Sequence, residues 1–248
     1  MSALLRTAYA SIASALLISG ALAAQSSPTP ARAAAKSTAA ISRDAIPATV
    51  TILALDESGD TVGQGSGFFV RSDGTILTNW HVLEGASRAV VILSTQEAYE
   101  RVSFVDGDST ADLAIIRVPG FGLPVLSTRS STPAVGERVV AIGSPLGLSQ
   151  TVSEGIVSAI RMLDGRQLIQ ISAAISPGSS GGAVLDANGR VFAVSTSYLE
   201  GGQQLNFAVP VRYALGLLTR PSSERSIAEV FAGGGSGGAP EYWPSASP

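Results

Sequence analysis

The chain has 248 residues, a formal net charge of −3, 14% charged residues, a single histidine and no cysteine. The missing cysteine excludes thiolate metal sites, disulfides and cysteine nucleophiles, and one histidine is too few for a histidine-rich metal cluster. A mildly acidic chain with scattered arginines lacks the clustered basic surface that phosphate recognition needs. Histidine chemistry therefore depends on His81 alone, and we expect no metal, no cofactor and no nucleic-acid partner.

Residues 1–23 have the pattern of an export signal. Arg6 gives a positive start, residues 12–24 are apolar and small, and the end of this stretch, Ala21 to Ala23, fits the A-x-A cleavage pattern. The apolar run is shorter than the roughly 20 residues needed to cross a bilayer, which favours cleavage over an uncleaved anchor. We therefore expect a cleaved signal peptide and a periplasmic or secreted protein with no membrane attachment after cleavage.

Two segments of the chain predict disorder. Residues 24–42 are rich in alanine, serine, proline and threonine without periodic apolar spacing, and they contain Lys36, the only lysine. Residues 221–248 are expected to form a disordered tail, which is rich in glycine, serine and proline from Gly233 onward. Tyr242 and Trp243 in that tail are either a docking motif or, more simply, part of an unstructured end.

The region between these segments is rich in short β patterns. Strands are predicted at 48–55, 65–70, 75–80, 88–93, 101–105, 112–118, 137–143, 151–163, 167–172, 183–186, 190–198 and 205–211. Many short strands with a turn signal every ten residues or so indicate an all-β barrel or sandwich rather than a βαβ fold. Apolar spacing over 211–220 predicts a short C-terminal helix that ends before Pro221.

Ser180 is the candidate nucleophile. It lies in the small-residue turn ISPGSSGGA (175–183), in which the glycines let the backbone aim its amides at one point, as an oxyanion hole requires. The same residues fit G-x-S-x-G, the nucleophile elbow of α/β-hydrolases. That fold places its histidine after the serine, whereas the only histidine here precedes it, so the α/β-hydrolase interpretation fails.

His81 follows an apolar strand and needs a carboxylate that fixes its tautomer. Asp112 is the best candidate because it begins a hydrophobic strand, whereas Asp106 and Asp108 lie in a glycine-containing loop. A calcium loop over 106–117 is rejected, since three of its required ligand or glycine positions hold other residue types. His81, Asp112 and Ser180 follow the order of the chymotrypsin class.

The chain resembles the HtrA/Deg group of chymotrypsin-fold serine proteases. The matching stretches cover nearly all of 45–215 and include GSGFFV (65–70), TNWHVLEGA (78–86), ADLAIIRV (111–118), VVAIGSPLGL (139–148), TVSEGIVSAIR (151–161), AAISPGSSGGAVLDANGRV (173–191) and LNFAVPV (205–211). The resemblance implies two packed antiparallel six-stranded β-barrels, about 45–128 and 133–212, in a protease domain spanning 43–220. It also implies that His81 is the general base, Asp112 its partner, Ser180 the nucleophile, and the turn formed by Gly178, Ser179 and Ser180 the oxyanion hole.

The resemblance also bounds specificity. Ala174 stands where a trypsin-like pocket would place an acid, and no second histidine is present for a glutamate-specific pocket. We expect a neutral pocket for aliphatic residues, and the residues expected to bind substrate are Ala174, Ile175, Val194, Ser195, Thr196 and Ser197.

The sequence departs from the family pattern beside the nucleophile, after the helix and in the N-terminal arm. Ser179 replaces the family's usual asparagine, and no PDZ domain is expected after the helix. Residues 24–67 contain no aromatic residue of the kind that holds the family's trimers, so monomer and trimer both remain open. The function predicted is an exported, ATP-independent serine endopeptidase acting on unfolded polypeptides. The alternative is a catalytically weak scaffold or holdase that binds such segments without cutting them.

Overall fold

The computed structural model describes residues 35–144, 150–163, 165–200 and 203–232, and for 197–200, 203 and 204 it describes the backbone only. The predicted signal peptide, residues 24–34 of the predicted linker and residues 233–248 of the predicted tail lie outside this range. The helices are α1 (Thr38–Ala45), α2 (Arg212–Thr219) and α3 (Ile227–Phe231), with 3₁₀ turns at Ile46–Ala48 and His81–Leu83. No helix in the described ranges is both long and apolar enough to cross a membrane.

The remaining elements are strands, as the alternating sequence pattern predicts. They are β1 (Thr49–Leu55), β2 (Thr61–Phe69), β3 (Thr75–Thr78), β4 (Arg88–Leu93), β5 (Ala98–Tyr99), β6 (Ser103–Asp108), β7 (Leu113–Arg117), β8 (Arg138–Gly143), β9 (Thr151–Leu163), β10 (Arg166–Ile171), β11 (Ala183–Leu185), β12 (Val191–Glu200), β13 (Gln203–Pro210) and β14 (Arg225–Ser226). One sheet has the order β14-β6-β7-β3-β2-β1-β4-β5, and the other strands form a closed barrel, β10-β13-β12-β11-β8-β9.

The prediction of two closed six-stranded barrels is confirmed for the second half, whereas the described strands of the first half form a curled sheet and do not show a closed barrel. Within the described residues the first half is an open sheet, in which β5 lies at one edge and does not pair with β6. β5 has two residues and pairs with β4. The outer edge of β6 is occupied instead by β14, with Arg225 opposite Phe104.

The segment after α2 is therefore ordered up to residue 232, where the sequence predicted disorder. A capping box starts α3: the Ser226 hydroxyl accepts from the Glu229 N–H at 3.2 Å, and the Glu229 carboxylate accepts from the Ser226 N–H at 2.8 Å. Ile227 and Phe231 are 2% and 3% exposed. The Phe231 ring lies 4.7 Å from that of Trp80. Burial of these two side chains explains the order.

Residues 35–42 of the predicted disordered linker are also ordered, and they include the start of α1. Ser37 caps α1 by accepting from the Ala40 N–H at 3.2 Å. Ile41 and Ala45, one turn apart, are buried in a cluster shared by both sheets and α2. Lys36 bonds Asp44 at 2.8 Å. The helix is stable because its apolar stripe covers the join between the two halves.

Three clusters of buried side chains form the core. One cluster consists of side chains of the first sheet packed with those of α3, and another consists of side chains inside the barrel. The third lies between the halves and includes Phe68 and Leu113 from the first sheet, Ile142 and Leu185 from the barrel, and Leu217 from α2. This apolar contact fixes the first sheet against the barrel, which is a condition for a site built from both.

Candidate active site

Strand pairing brings His81 and Asp112 together. β3 and β7 are antiparallel, and Thr78 near the end of β3 lies opposite Ala114 near the start of β7. Residues that follow β3 therefore approach residues that precede β7. His81 begins the 3₁₀ turn after β3, and Asp112 immediately precedes β7.

The two side chains are in direct contact. His81 Nδ1 lies 2.9 Å from Asp112 Oδ1 and 3.0 Å from Oδ2, and the His81 backbone N–H donates to Oδ1 at 3.1 Å. The Asp112 backbone is left-handed, with φ of +55°. Its carbonyl accepts from the Asn79 side-chain amide at 2.8 Å. The imidazole is thus held by a buried carboxylate that is itself anchored.

The other candidate carboxylates, which the structure places in β6 rather than in a loop, accept hydrogen bonds from nearby backbone N–H groups. Asp106 accepts from the Gly107 N–H at 2.9 Å, and Asp108 accepts from the Ala111 N–H at 3.0 Å. The structure therefore brings to His81 the aspartate that the sequence favoured, while Asp108 bonds the segment that leads from β6 to Asp112.

Two further side chains bear on this pair. The buried Thr196 hydroxyl donates to Asp112 Oδ2 at 3.4 Å, so its described contact is with the carboxylate rather than with a substrate pocket. Burial raises the pKa of the Glu84 carboxyl, as does the charge of Asp112, while His81 acts in the opposite direction. Glu84 directly follows the 3₁₀ turn that starts at His81.

Ser180 lies in the connection between β10 and β11, at residues 176–182, here called the serine turn. The Ser179 N–H donates to the Ser176 carbonyl at 2.9 Å, and Gly178 has a φ of +89°. Proline at 177 followed by this glycine matches a type II turn. The N–H groups of Gly181 and Gly182 donate to the carbonyls of Ser195 and Ser179.

Two amides of the serine turn differ from their neighbours. Among the described residues, the N–H groups of Gly178 and Ser180 donate to no protein acceptor. Backbone N–H groups without a protein acceptor are available to bind an oxyanion. Ser179, predicted with them, has its amide committed to Ser176, so its own N–H is not available to an oxyanion.

The serine turn and the 3₁₀ turn His81–Leu83 both pack against Gly65 of β2. A Cβ placed on Gly65 would lie 2.5 Å from Val82 Cγ2 and 3.0 Å from the Ser180 carbonyl oxygen. Only glycine leaves room for both at this point. Ser66, the next residue, bonds directly to the serine turn through its N–H and its hydroxyl. Sequence reasoning did not single out Ser66 or Asn79, although both lie inside motifs that carried the resemblance.

The predicted substrate residues divide into two groups. Ala174, Ile175 and Ser195 line a cavity of about 60 Å³ together with Gly143, Thr151 and other neutral residues. Val194 is fully buried in the core between the halves, and nothing is described of the Ser197 side chain. Ser195 also donates to the Ser179 carbonyl at 2.6 Å, so it supports the serine turn as well as lining the cavity.

Comparison with known proteins identifies the family. Residues 65–194 match the trypsin-like peptidase domain. The putative serine protease HhoB of Synechocystis is 42% identical over 161 residues, covering 61% of this chain and 38% of HhoB. A probable periplasmic serine endoprotease DegP-like of Chlamydia trachomatis is 35% identical over 179 residues, covering 68% of this chain and 36% of that protein.

A solved structure shows the same fold. The serine endoprotease from Yersinia pestis superposes with a TM-score of 0.65 at 32% identity, covering 75% of this chain and 66% of that one. This chain spans less than half the length of the two curated relatives. The closed barrel, the open curved sheet and the matched residues together establish that the chain belongs to the trypsin-like peptidase family, with HtrA/DegP serine proteases as its relatives.

Proposed function

We propose that this protein is an exported serine endopeptidase that hydrolyses peptide bonds in extended or unfolded polypeptides. Ser180 is the nucleophile, His81 the general base, and Asp112 the group that orients His81. The observation that carries the proposal is the contact of His81 Nδ1 with the Asp112 carboxylate at 2.9 Å, on an element that packs with the serine turn against Gly65.

The geometry supports a two-step acyl transfer. The Asp112 carboxylate accepts a hydrogen bond from Nδ1–H, which keeps the proton on Nδ1 and leaves Nε2 as the basic nitrogen of His81. Nε2 takes the Ser180 hydroxyl proton as Oγ attacks the peptide carbonyl carbon, and the resulting oxyanion accepts from the N–H groups of Gly178 and Ser180. His81 then returns the proton to the leaving amine, which breaks the C–N bond. Water attacks the acyl-enzyme by the same route and restores Ser180.

An open strand edge supports binding of extended substrates. β12 pairs with β13 from Ala193 to Glu200, but on its other side it pairs with β11 only as far as Val194. Gly181 and Gly182 continue that pairing to Ser195. From Thr196 onward no described strand occupies this edge. A substrate segment adds there as an extra strand, with its main chain bound by hydrogen bonds.

The neutral cavity supports cleavage after small or medium aliphatic residues. The residues that line it, among them Ala174 and Ile175, include no charged side chain. A charged side chain before the cut would therefore be buried without a partner. A peptide library checks this preference: predominant cleavage after lysine, arginine or glutamate would contradict it.

Export is part of the proposal because of the predicted signal peptide and because several relatives are described as probable periplasmic endoproteases. A protease in that compartment would clear damaged proteins of the cell envelope. Mass spectrometry of the exported protein tests cleavage after Ala23. A mature protein that retains Met1 would contradict it.

The activity is tested with fluorescent casein and three variants. Ser180→Ala and His81→Ala should each lower turnover by about four to six orders of magnitude, since triad members act as a unit. Ser58→Ala, an exposed serine in the β1–β2 turn, is the matched control and should keep full activity. If wild type and Ser180→Ala cut casein equally, the enzyme proposal is wrong and the scaffold alternative stands.

A further inference from the structure

Ser66 connects the first sheet to the serine turn. It lies on β2 and is fully buried. Its N–H donates to the Ser180 carbonyl at 2.7 Å, and its hydroxyl donates to the Gly178 carbonyl, also at 2.7 Å. One residue of the first half therefore holds the carbonyl groups on both sides of Ser179.

The Ser66 hydroxyl has a fixed orientation. Its oxygen accepts from the Ser144 N–H at 2.8 Å, at the end of β8. Its proton is directed to the Gly178 carbonyl by the contact just described. A hydroxyl with its donor and one acceptor position used inside a dry core does not rotate freely. The backbone of Ser66 is held as well, since its carbonyl accepts from the buried Thr78 hydroxyl at 2.7 Å.

These contacts fix one peptide plane of the serine turn at both ends. The Gly178 carbonyl accepts from Ser66, and the Ser179 N–H of the same peptide unit donates to Ser176 at 2.9 Å. Rotating this peptide plane would break both hydrogen bonds. The following peptide is held differently, because the Ser179 carbonyl accepts from Ser195 at 2.6 Å and from Gly182 at 3.0 Å.

We propose that Ser66 is a positioning residue for the oxyanion hole. Its hydroxyl holds the Gly178–Ser179 peptide so that the flanking amides of Gly178 and Ser180 converge on the substrate oxygen. Ser66 does not touch the reacting atoms, and it acts through Gly178. This role rests on the proposed function, because it requires that Ser180 be the nucleophile.

The test is Ser66→Ala, assayed with a peptide that carries valine before the cut. Loss of the hydroxyl leaves the strand edge and the cavity intact, so KM should change by less than about threefold while kcat falls about 10- to 100-fold. A peptide aldehyde, which forms a tetrahedral adduct, should lose affinity by a similar factor. A purely structural role would lower the melting temperature without this separation of kcat from KM.

The matched control is Thr49→Val, which removes a buried hydroxyl that donates to the Ala45 carbonyl at 3.1 Å, away from the serine turn. If Ser66→Ala keeps kcat within about twofold of this control, the role of Ser66 is wrong. If Ser66→Ala does not fold, Ser66→Cys replaces it, and the weaker thiol donor should give an intermediate kcat. A fully active Ser66→Cys with unchanged aldehyde affinity would also overturn the assignment.

A different result identifies failure of the proposed function itself. In that case wild type cuts the peptide no faster than Ser180→Ala, and no kcat exists for Ser66 to affect. The Ser66 proposal fails separately when wild type is active, Ser180→Ala is inactive and Ser66→Ala matches Thr49→Val.

Discussion

Asp112 Oδ1 accepts two hydrogen bonds from His81, one from the backbone N–H at 3.1 Å and one from Nδ1 at 2.9 Å. The carboxylate therefore sets both the position of the histidine backbone and the orientation of its ring. The left-handed backbone of Asp112, with φ of +55°, is a strained conformation for a residue other than glycine. The Asn79 side chain holds it there through the Asp112 carbonyl.

Asp112→Asn tests this relationship. The asparagine amide presents an N–H where the carboxylate accepts, which disfavours the Nδ1–H tautomer, so kcat should fall by about four orders of magnitude. Steady-state kinetics with the valine peptide measure the effect. Asp56→Asn, in the β1–β2 turn, is the control and should retain wild-type kcat. A loss of less than about tenfold in Asp112→Asn would show that Asp112 does not orient the base.

Gly178→Ala tests the conformation of the serine turn. At φ of +89°, a side chain costs about 1–2 kcal/mol or displaces the turn from its type II geometry. We expect kcat to fall at least about tenfold because the amides of Gly178 and Ser180 would no longer converge.

Gly136→Ala is the matched control for Gly178→Ala. Gly136 has a φ of +85°, and a Cβ there would meet nothing within 4 Å. It should show a similar fall in melting temperature and an unchanged kcat. Equal kcat in the two variants would contradict the role of the turn.

Phe231→Ala tests the ordered segment after α2. Phe231 is 3% exposed, and its ring packs against Trp80 at 4.7 Å and Phe104 at 5.5 Å. Removing it leaves a cavity, and the free energy of unfolding should fall by about 3–5 kcal/mol in urea titrations. Phe121→Ala is the control, since Phe121 is 96% exposed and its loss should change stability by less than about 0.5 kcal/mol. Equal stability of the two variants would mean that α3 does not support the sheet.

Asp186→Asn should lower the free energy of unfolding by an amount that depends on pH. Burial raises the pKa of Asp186, but hydrogen bonds from the Arg190 N–H, the Arg190 guanidinium and the Asn188 N–H outweigh it and hold the pKa below its ordinary value of 3.8. A lowered pKa in the folded state means that the carboxylate stabilises the fold above about pH 4, and that this stabilisation is lost as the pH falls through the folded pKa.

Urea unfolding at pH 7 and at pH 3 measures this prediction. The difference in unfolding free energy between wild type and Asp186→Asn should be about 3 kcal/mol at pH 7, since Arg129 and Arg190 lose a buried partner. The difference should shrink at pH 3. The exposed Asp60→Asn serves as control, and a difference that stays constant with pH would contradict the proposed linkage.

The contact between His81 and Asp112 followed from local signals. The residues after β3 and before β7 are adjacent once the two apolar strands pair, so the His81–Asp112 contact was accessible from strand pattern and residue order. The hydrogen bond of the Ser179 amide to Ser176 and that of the Thr196 hydroxyl to Asp112 could not be predicted. Both depend on which acceptor an amide or a buried hydroxyl reaches. No spacing rule in a sequence specifies that choice.

The fold departs from the prediction where short segments become ordered through distant contacts. Ser226 and Glu229 form a capping box in the structure, whereas the sequence analysis predicted disorder for all of residues 221–248 because the tail is rich in glycine, serine and proline. β14 has two residues, too few for any periodicity, and it exists because β6 offers an unpaired edge.

The pairing of β14 with β6 also sets an order for folding during synthesis. Ser103 bonds Glu224 across 121 residues of chain, so the outer edge of β6 stays unpaired until almost the whole described chain has been made. Until then Trp80 and Phe104 lack Phe231 as a neighbour. A nascent chain that stops before residue 225 would carry a bare strand edge beside exposed aromatic rings, which is a combination prone to aggregation.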